Sequence, residues 1–276
     1  MAKFNSDHPQ GLEYAHKGLI GALSPQANTT VEPEFNILWP VGYGMLTARL
    51  TSQKPAMNDR LFDYWDNVEQ TLDQFANAPL SAVAFACTGA SYMAGREEED
   101  ALVSLIENKR GYPFITSAIA VTDALRALDA EKIGLVSPYS PELTQASVEY
   151  WESRGFHVAE IENASDTQSD FHPIYSLQAS SAQDAWARMR DKPLDAIVML
   201  GTGMPTLAPI AGAAHWDGPP LMSCMLCLAW RTIQAIKGTP PTRDNVMKWI
   251  QCVGWSERLA ASRPLTPTNR AKSAAI

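Results

Sequence analysis

The chain has 276 residues, 46% of them hydrophobic and 19% charged, the composition of an ordinary globular protein of one large or two modest domains. Thirty acidic against 22 basic residues leave a net charge of −8. With no dense Lys/Arg cluster, this argues against nucleic acid and anionic membrane as partners. No run of about 18 apolar residues is long enough to span a membrane. The polar start, Met1 to His8, lacks the apolar core of a secretory signal. Four cysteines in so long a chain call for no disulfide framework, and the expected compartment is the cytoplasm.

In chain order, short apolar runs alternate with longer amphipathic stretches. The runs, read as strands, are Gly18 to Leu23, Ala82 to Ala86, Pro113 to Ser117, Lys132 to Val136, Ala196 to Leu200 and Pro219 to Ser223. Asn58 to Ala76, Glu97 to Asn108, Glu142 to Arg154 and Ala182 to Arg190 carry helical patterns between them. This rhythm predicts an α/β fold built on parallel sheets. From Arg263 the chain, broken by Pro264 and Pro267, reads as a loose tail.

An internal repeat divides the sequence. Ile20-Gly21-Ala22-Leu23-Ser24-Pro25 resembles Ile133-Gly134-Leu135-Val136-Ser137-Pro138, 113 residues later. Cys87-Thr88-Gly89 resembles Gly201-Thr202-Gly203, 114 residues later. Two matches at nearly one offset predict two similar halves. The expected division is 18–120 for the half carrying Cys87, closed by part of the C-terminal segment, and 121–240 for the half carrying Gly201. A C-terminal helix and tail would occupy 241–276. Facing strand ends would then form a cleft, the usual ligand site of such sheets.

Cys87 follows the apolar run Ala82 to Ala86 and precedes Thr88-Gly89-Ala90-Ser91 and a helical pattern. A strand-to-helix turn aims N–H groups and the positive helix end at the thiol. That lowers a thiol's pKa and suits it to act as nucleophile or proton carrier; an inert buried cysteine is the competing reading. Thr88, Gly89, Ser91, Thr202 and Gly203 would offer backbone and hydroxyl donors to a carboxylate, against a plain turn role. Asn28, in the polar loop after Pro25, would hold a carboxylate or else organise an Asx turn. Tyr139 would donate to developing negative charge or pack as a loop aromatic. Cys224, Cys227 and Cys252 read as core, and five scattered histidines give no metal site. The run Glu97-Glu98-Glu99-Asp100 reads as the solvated first turn of a helix.

These segments together resemble the maleate isomerase and arylmalonate decarboxylase group of the aspartate/glutamate racemase superfamily. Ser24-Pro25-Gln26-Ala27-Asn28-Thr29-Thr30-Val31-Glu32-Pro33-Glu34 is similar to the opening loop of maleate isomerases. The segment Ala86 to Ser91 is similar to the first catalytic cysteine segment, Ser137 to Leu143 to the one carrying the active-site tyrosine, and Gly201 to Leu207 to the second cysteine segment. The resemblance implies two Rossmann-like halves, a pseudo-twofold active site between them and no cofactor. It implies Cys87 and Tyr139 as catalytic residues, and Pro25, Asn28, Thr88, Gly89, Ser91, Gly201, Thr202 and Gly203 as substrate-binding ones. Its partner would be a small mono- or dicarboxylic acid, and a homo-oligomer is compatible with it.

The second cysteine position of the superfamily falls on Gly201, which offers no acid or base and argues against two-base racemisation. The decarboxylase pattern places glycine first and cysteine second, the reverse of this chain. The leading expectation is a decarboxylase of a substituted malonate in which Cys87 protonates an enediolate. One alternative is a maleate-type cis–trans isomerase with Cys87 as covalent nucleophile. The other is a non-catalytic carboxylate-binding protein.

Overall fold

The computed structural model describes residues 12–164 and 172–262. The polar start (residues 1–8) and the tail from Arg263 lie outside them.

Two four-stranded parallel sheets carry the fold. The first is assembled from β1 (Gly18–Pro25), β2 (Tyr43–Leu50), β3 (Ala82–Phe85) and β4 (Phe114–Thr116) in the order β2-β1-β3-β4. The second is assembled from β5 (Lys132–Ser137), β6 (His157–Asn163), β7 (Ala196–Met199) and β8 (Leu221–Ser223) in the order β6-β5-β7-β8. The orders are the same, so β1 corresponds to β5 and β3 to β7. Both sequence matches therefore fall on equivalent places: Pro25 and Pro138 at the ends of β1 and β5, Cys87 and Gly201 just past β3 and β7. The fold is α/β with two similar halves.

The interior strands β3 and β7 are buried along their whole length, which is why they read as unbroken apolar runs. Sequence reading missed β2 and β6, one of the two edge strands of each sheet. Each pairs on one side only and interleaves exposed polar residues, such as Thr47 in β2 and His157 in β6. That mixture dilutes the apolar signal.

The helical stretch expected over 58–76 is broken at Asn67, giving α2 (Met57–Asp66), α3 (Val68–Leu72) and a 3₁₀ turn, Asp73–Phe75. The other helices are α1 (Val31–Leu38), α4 (Thr88–Ala94), α5 (Arg96–Arg110), α6 (Ser117–Ala127), α7 (Pro141–Ser153), α8 (Ala179–Ala187), α9 (Leu207–Ala213) and α10 (Cys224–Ile236). The expected single C-terminal helix is two, α11 (Arg243–Ile250) and α12 (Ser256–Ser262), because Cys252 takes a positive φ and Gly254 follows.

Repetition extends to the helix starts. Thr116 caps α6 by accepting from the Ile119 N–H at 3.0 Å, and Ser223 caps α10 by accepting from the Leu226 N–H at 3.2 Å. These two capped helices pack on each other, and α10 also reaches β3, so the segment after the second sheet helps cover the first. The four-acid run corrects one expectation. Glu99 is fully buried rather than solvated. Its carboxylate accepts from Thr116 Oγ1 at 2.6 Å, from the Tyr150 hydroxyl and from Arg154 Nη2 at 2.6 Å. Arg154 also reaches Asp100 at 2.8 Å. Three donors compensate the buried charge and tie α5 of one half to α7 of the other.

Candidate active site

The strand ends β1, β3, β5 and β7 converge on a cleft enclosing about 570 Å³ of non-atom space, its open mouth included. Pro25, Cys87, Thr88, Gly89, Tyr139, Gly201, Thr202 and Gly203 line it, so eight of the ten residues singled out from sequence are brought together. Asn28 and Ser91 are not among the lining residues.

Asn28 is a structural tie. Its side-chain carbonyl accepts from the Thr30 and Val31 N–H groups at 2.9 and 3.2 Å, the Asx-turn arrangement that starts α1. Its amide donates to the Thr202 carbonyl at 3.2 Å. Both ends of the side chain are therefore engaged within the protein. Ser91 is buried one turn into α4, and its hydroxyl has no hydrogen-bond partner. Thr202 also departs from expectation, because its hydroxyl proton is committed to the Ala86 carbonyl at 2.7 Å. Together with Thr30 Oγ1 donating to the Gly203 carbonyl at 2.7 Å, these bonds hold the loop after β7 against the first half.

Cys87 is the N-cap residue of α4 and is 4% exposed. The expected lowering of its pKa does not occur. Burial pushes the thiol up to about 12, and the Ala90 N–H facing it opposes this only weakly. The cause is depth: a thiol this thoroughly covered loses more by desolvation of its thiolate than the N–H groups of the helix start return. The same burial raises Tyr139 well above the usual phenol range, with Cys224 and Cys87 adding to it and a hydrogen bond with Thr88 working against it. Both groups are neutral at pH 7.

Gly201 has φ +82°, a conformation side chains rarely adopt. A Cβ built there would lie 3.1 Å from the Tyr139 hydroxyl and 3.3 Å from Pro138 Cγ. The tyrosine of the loop after β5 thus stands against the position equivalent to Cys87. Burial pushes the Cys224 thiol up to about 11, with Thr88, Gly201 and Tyr92 working against it. Cys224 is fully buried, as is Cys227, in keeping with a core role. No group of three or more His, Cys, Asp or Glu suited to a metal occurs among the described residues.

Sequence reasoning missed a wall of the cleft. Met57, Arg60, Leu61 and Tyr64 of α2 line it, and their spacing of three, one and three residues places all four on one helix face. That face was legible as an apolar stripe interrupted by one arginine. Tyr64 is pushed up to about 12, by burial first and by Cys87 next. His172, Ile174 and Tyr175 line the same cleft. The His172 ring stacks on Tyr175 with centroids 3.8 Å apart. Burial, then Arg60, lower His172 to about 4, so it is neutral.

A sequence profile described as arylmalonate decarboxylase matches residues 20–245. The chain belongs to the arylmalonate decarboxylase family. A maleate isomerase of Alcaligenes faecalis is 25% identical over 233 residues, spanning 79% of this chain and 89% of the relative. Among solved structures, a cysteine-to-serine mutant of Nocardia farcinica maleate cis-trans isomerase carries a covalently bound succinylcysteine intermediate. It superposes with a TM-score of 0.70 at 22% identity, covering 84% of this chain and 98% of that one. A double mutant of arylmalonate decarboxylase, glycine to cysteine and cysteine to serine, in the liganded form gives a TM-score of 0.68 at 18% identity. It covers 80% of this chain and 93% of that one. As a member of the arylmalonate decarboxylase family the protein is an enzyme, either an arylmalonate decarboxylase-like lyase or a maleate isomerase-like isomerase, and the non-catalytic reading is set aside.

Proposed function

We propose that the protein is a cis–trans isomerase of a maleate-type dicarboxylate, with Cys87 as covalent nucleophile. Arg60 carries this reading over malonate decarboxylation. It is the one Lys or Arg among the residues lining the cleft. Its Nε is buried without a partner, and its Nη2 donates to the Pro55 carbonyl at 3.0 Å. No carboxylate among the described residues pairs with it. A cation in the cleft stabilises a substrate carboxylate in the ground state. Decarboxylation turns one carboxylate into neutral carbon dioxide, so any such attraction to the departing group is lost on the way to the transition state. Isomerisation keeps both carboxylates charged throughout, and the attraction persists.

On this reading, the Cys87 sulfur adds to one alkene carbon and the neighbouring carbon takes a proton. The resulting single bond turns, the proton is removed, the C–S bond breaks and the trans acid leaves. The first-turn N–H groups of Thr88 and Gly89, unpaired within α4, and the N–H groups of Thr202 and Gly203 would bind one carboxylate. Arg60 binds the other. The two halves, residues 18–120 and 121–240, would each supply one wall. The succinylcysteine seen in the Nocardia relative supports the covalent step.

The second reading, decarboxylation of a substituted malonate with Cys87 protonating the enediolate, is favoured by the apolar lining of Met57, Leu61, Leu143 and Ile174. Proton NMR in deuterated water, with maleate and phenylmalonate supplied separately, separates the two. Fumarate from maleate, with phenylmalonate untouched, is the expected result. A monodeuterated phenylacetate with no fumarate overturns it.

A further inference from the structure

Adding a thiol across a double bond requires a proton at the neighbouring carbon, and that proton must later be taken back. Cys87 is engaged in the C–S bond between those steps, so a second group must carry it. The pseudo-twofold fold points to residue 201 for that group, since it follows β7 as Cys87 follows β3. Glycine there has nothing to give.

We propose that Tyr139 is this proton carrier, its phenol standing in the space that a side chain at residue 201 would claim. A Cβ on Gly201 would come within 3.1 Å of the phenol oxygen and 3.5 Å of the ring carbon bearing it. The ring is held there by an edge contact with Tyr92, centroids 6.1 Å apart. Thr88, the residue next to the nucleophile, lines the same cleft, and its hydroxyl is 2.8 Å from Ser117 Oγ. Tyr64 and Tyr175 also line the cleft, but the three atoms nearest a Cβ at Gly201 belong to Tyr139 and Pro138.

The step balances without an outside acid or base. The sulfur–carbon bond forms as the alkene π pair becomes a C–H bond with the Tyr139 proton. The proton leaving the Cys87 sulfur replaces the one Tyr139 gave up. After the C–C bond turns, the hydrogen of that carbon now facing Tyr139 passes to the phenol as the phenol proton passes to the departing sulfur, and the pair begins and ends neutral, as burial requires of both groups. This role is additional to holding a carboxylate or an enediolate, and it rests on the isomerase reading above.

The test compares wild type, Tyr139→Phe and Tyr139→Phe/Gly201→Cys for maleate turnover and for adduct formation on Cys87, each shown to be folded by cooperative melting, with a lower melting temperature expected of the double variant because residue 201 has φ +82°. General acid–base groups contribute about 10²–10⁴ in rate. Tyr139→Phe is therefore expected to lose at least about 100-fold in kcat with KM changed less than about threefold. The double variant, in which the clashing oxygen is gone and a thiol occupies position 201, is expected to regain about tenfold. If Tyr139→Phe keeps kcat within about threefold, or raises KM alone, Tyr139 only positions substrate and the inference is wrong. If wild type makes neither fumarate nor adduct, the isomerase reading itself has failed and this role falls with it.

Discussion

Glu34 offers the sharpest test of how the two halves are joined. It lies in α1, is 5% exposed, and its Oε1 accepts from the Thr206 N–H at 2.7 Å just before α9 of the other half. Burial raises its carboxyl from 4.5 to about 7, partly opposed by the Thr206 and Leu207 N–H groups. The folded protein thus holds this proton after the unfolded chain has released it. The associated stability is fully present below about pH 4.5, falls as pH rises, and is lost once pH passes about 7. At 1.36 kcal/mol per tenfold in proton affinity, the whole effect is about 3 kcal/mol, of which about 2.5 kcal/mol falls between pH 5 and pH 8. Glu34→Gln keeps the acceptor oxygen and carries no charge at either pH. Urea unfolding of both proteins should show the variant gaining about 2.5 kcal/mol on wild type between pH 5 and pH 8. The same difference between the two proteins at both pH values would refute the argument.

Other outcomes follow from the site and its supports. Because burial holds the Cys87 thiol up to about 12, alkylation by iodoacetamide should be slow at pH 7. It should rise about tenfold per pH unit toward pH 10; a rate that levels off by pH 8 contradicts this. Arg60→Met should raise KM for maleate about 10- to 100-fold, the worth of a charged hydrogen bond, and leave binding of a monocarboxylate such as crotonate unchanged. Equal losses for both acids would show that Arg60 only shapes α2. Arg154→Met strands Glu99, which is buried without solvent access, and should cost about 3–5 kcal/mol in urea unfolding. Loss of under about 1 kcal/mol would show the pair to be replaceable.

The parts of the molecule legible in the sequence share a physical cause. Interior strands such as β3 and β7 are buried on both faces, so their sequences are apolar without interruption. The Ser-Pro and Thr-Gly ends recur because both halves need the same turn after the same strand. Edge strands β2 and β6 escaped notice because few of their residues are fully buried and exposed polar ones interrupt the apolar pattern. Cys87 was recognisable from its place between an apolar run and a glycine turn, whereas its acidity was not. The balance between a helix end and desolvation depends on how deeply the thiol is covered, and spacing does not record depth. Asn28 and Thr202 were named as substrate ligands from their loop positions and the family resemblance; in three dimensions the Asn28 amide and the Thr202 hydroxyl are bonded within the protein. Arg60 was readable on its helix face but had no motif to mark it. Tyr139 was found through its loop, but its overlap with the Gly201 position is a three-dimensional fact.

The account stands on covalent chemistry at Cys87. Acid quenching of the enzyme during turnover of maleate, followed by mass spectrometry of the Cys87 peptide, tests it directly. A succinyl adduct on Cys87 that disappears as maleate is exhausted is the expected result. Fumarate accumulating while the Cys87 peptide stays unmodified, or full activity retained by Cys87→Ala, would contradict it.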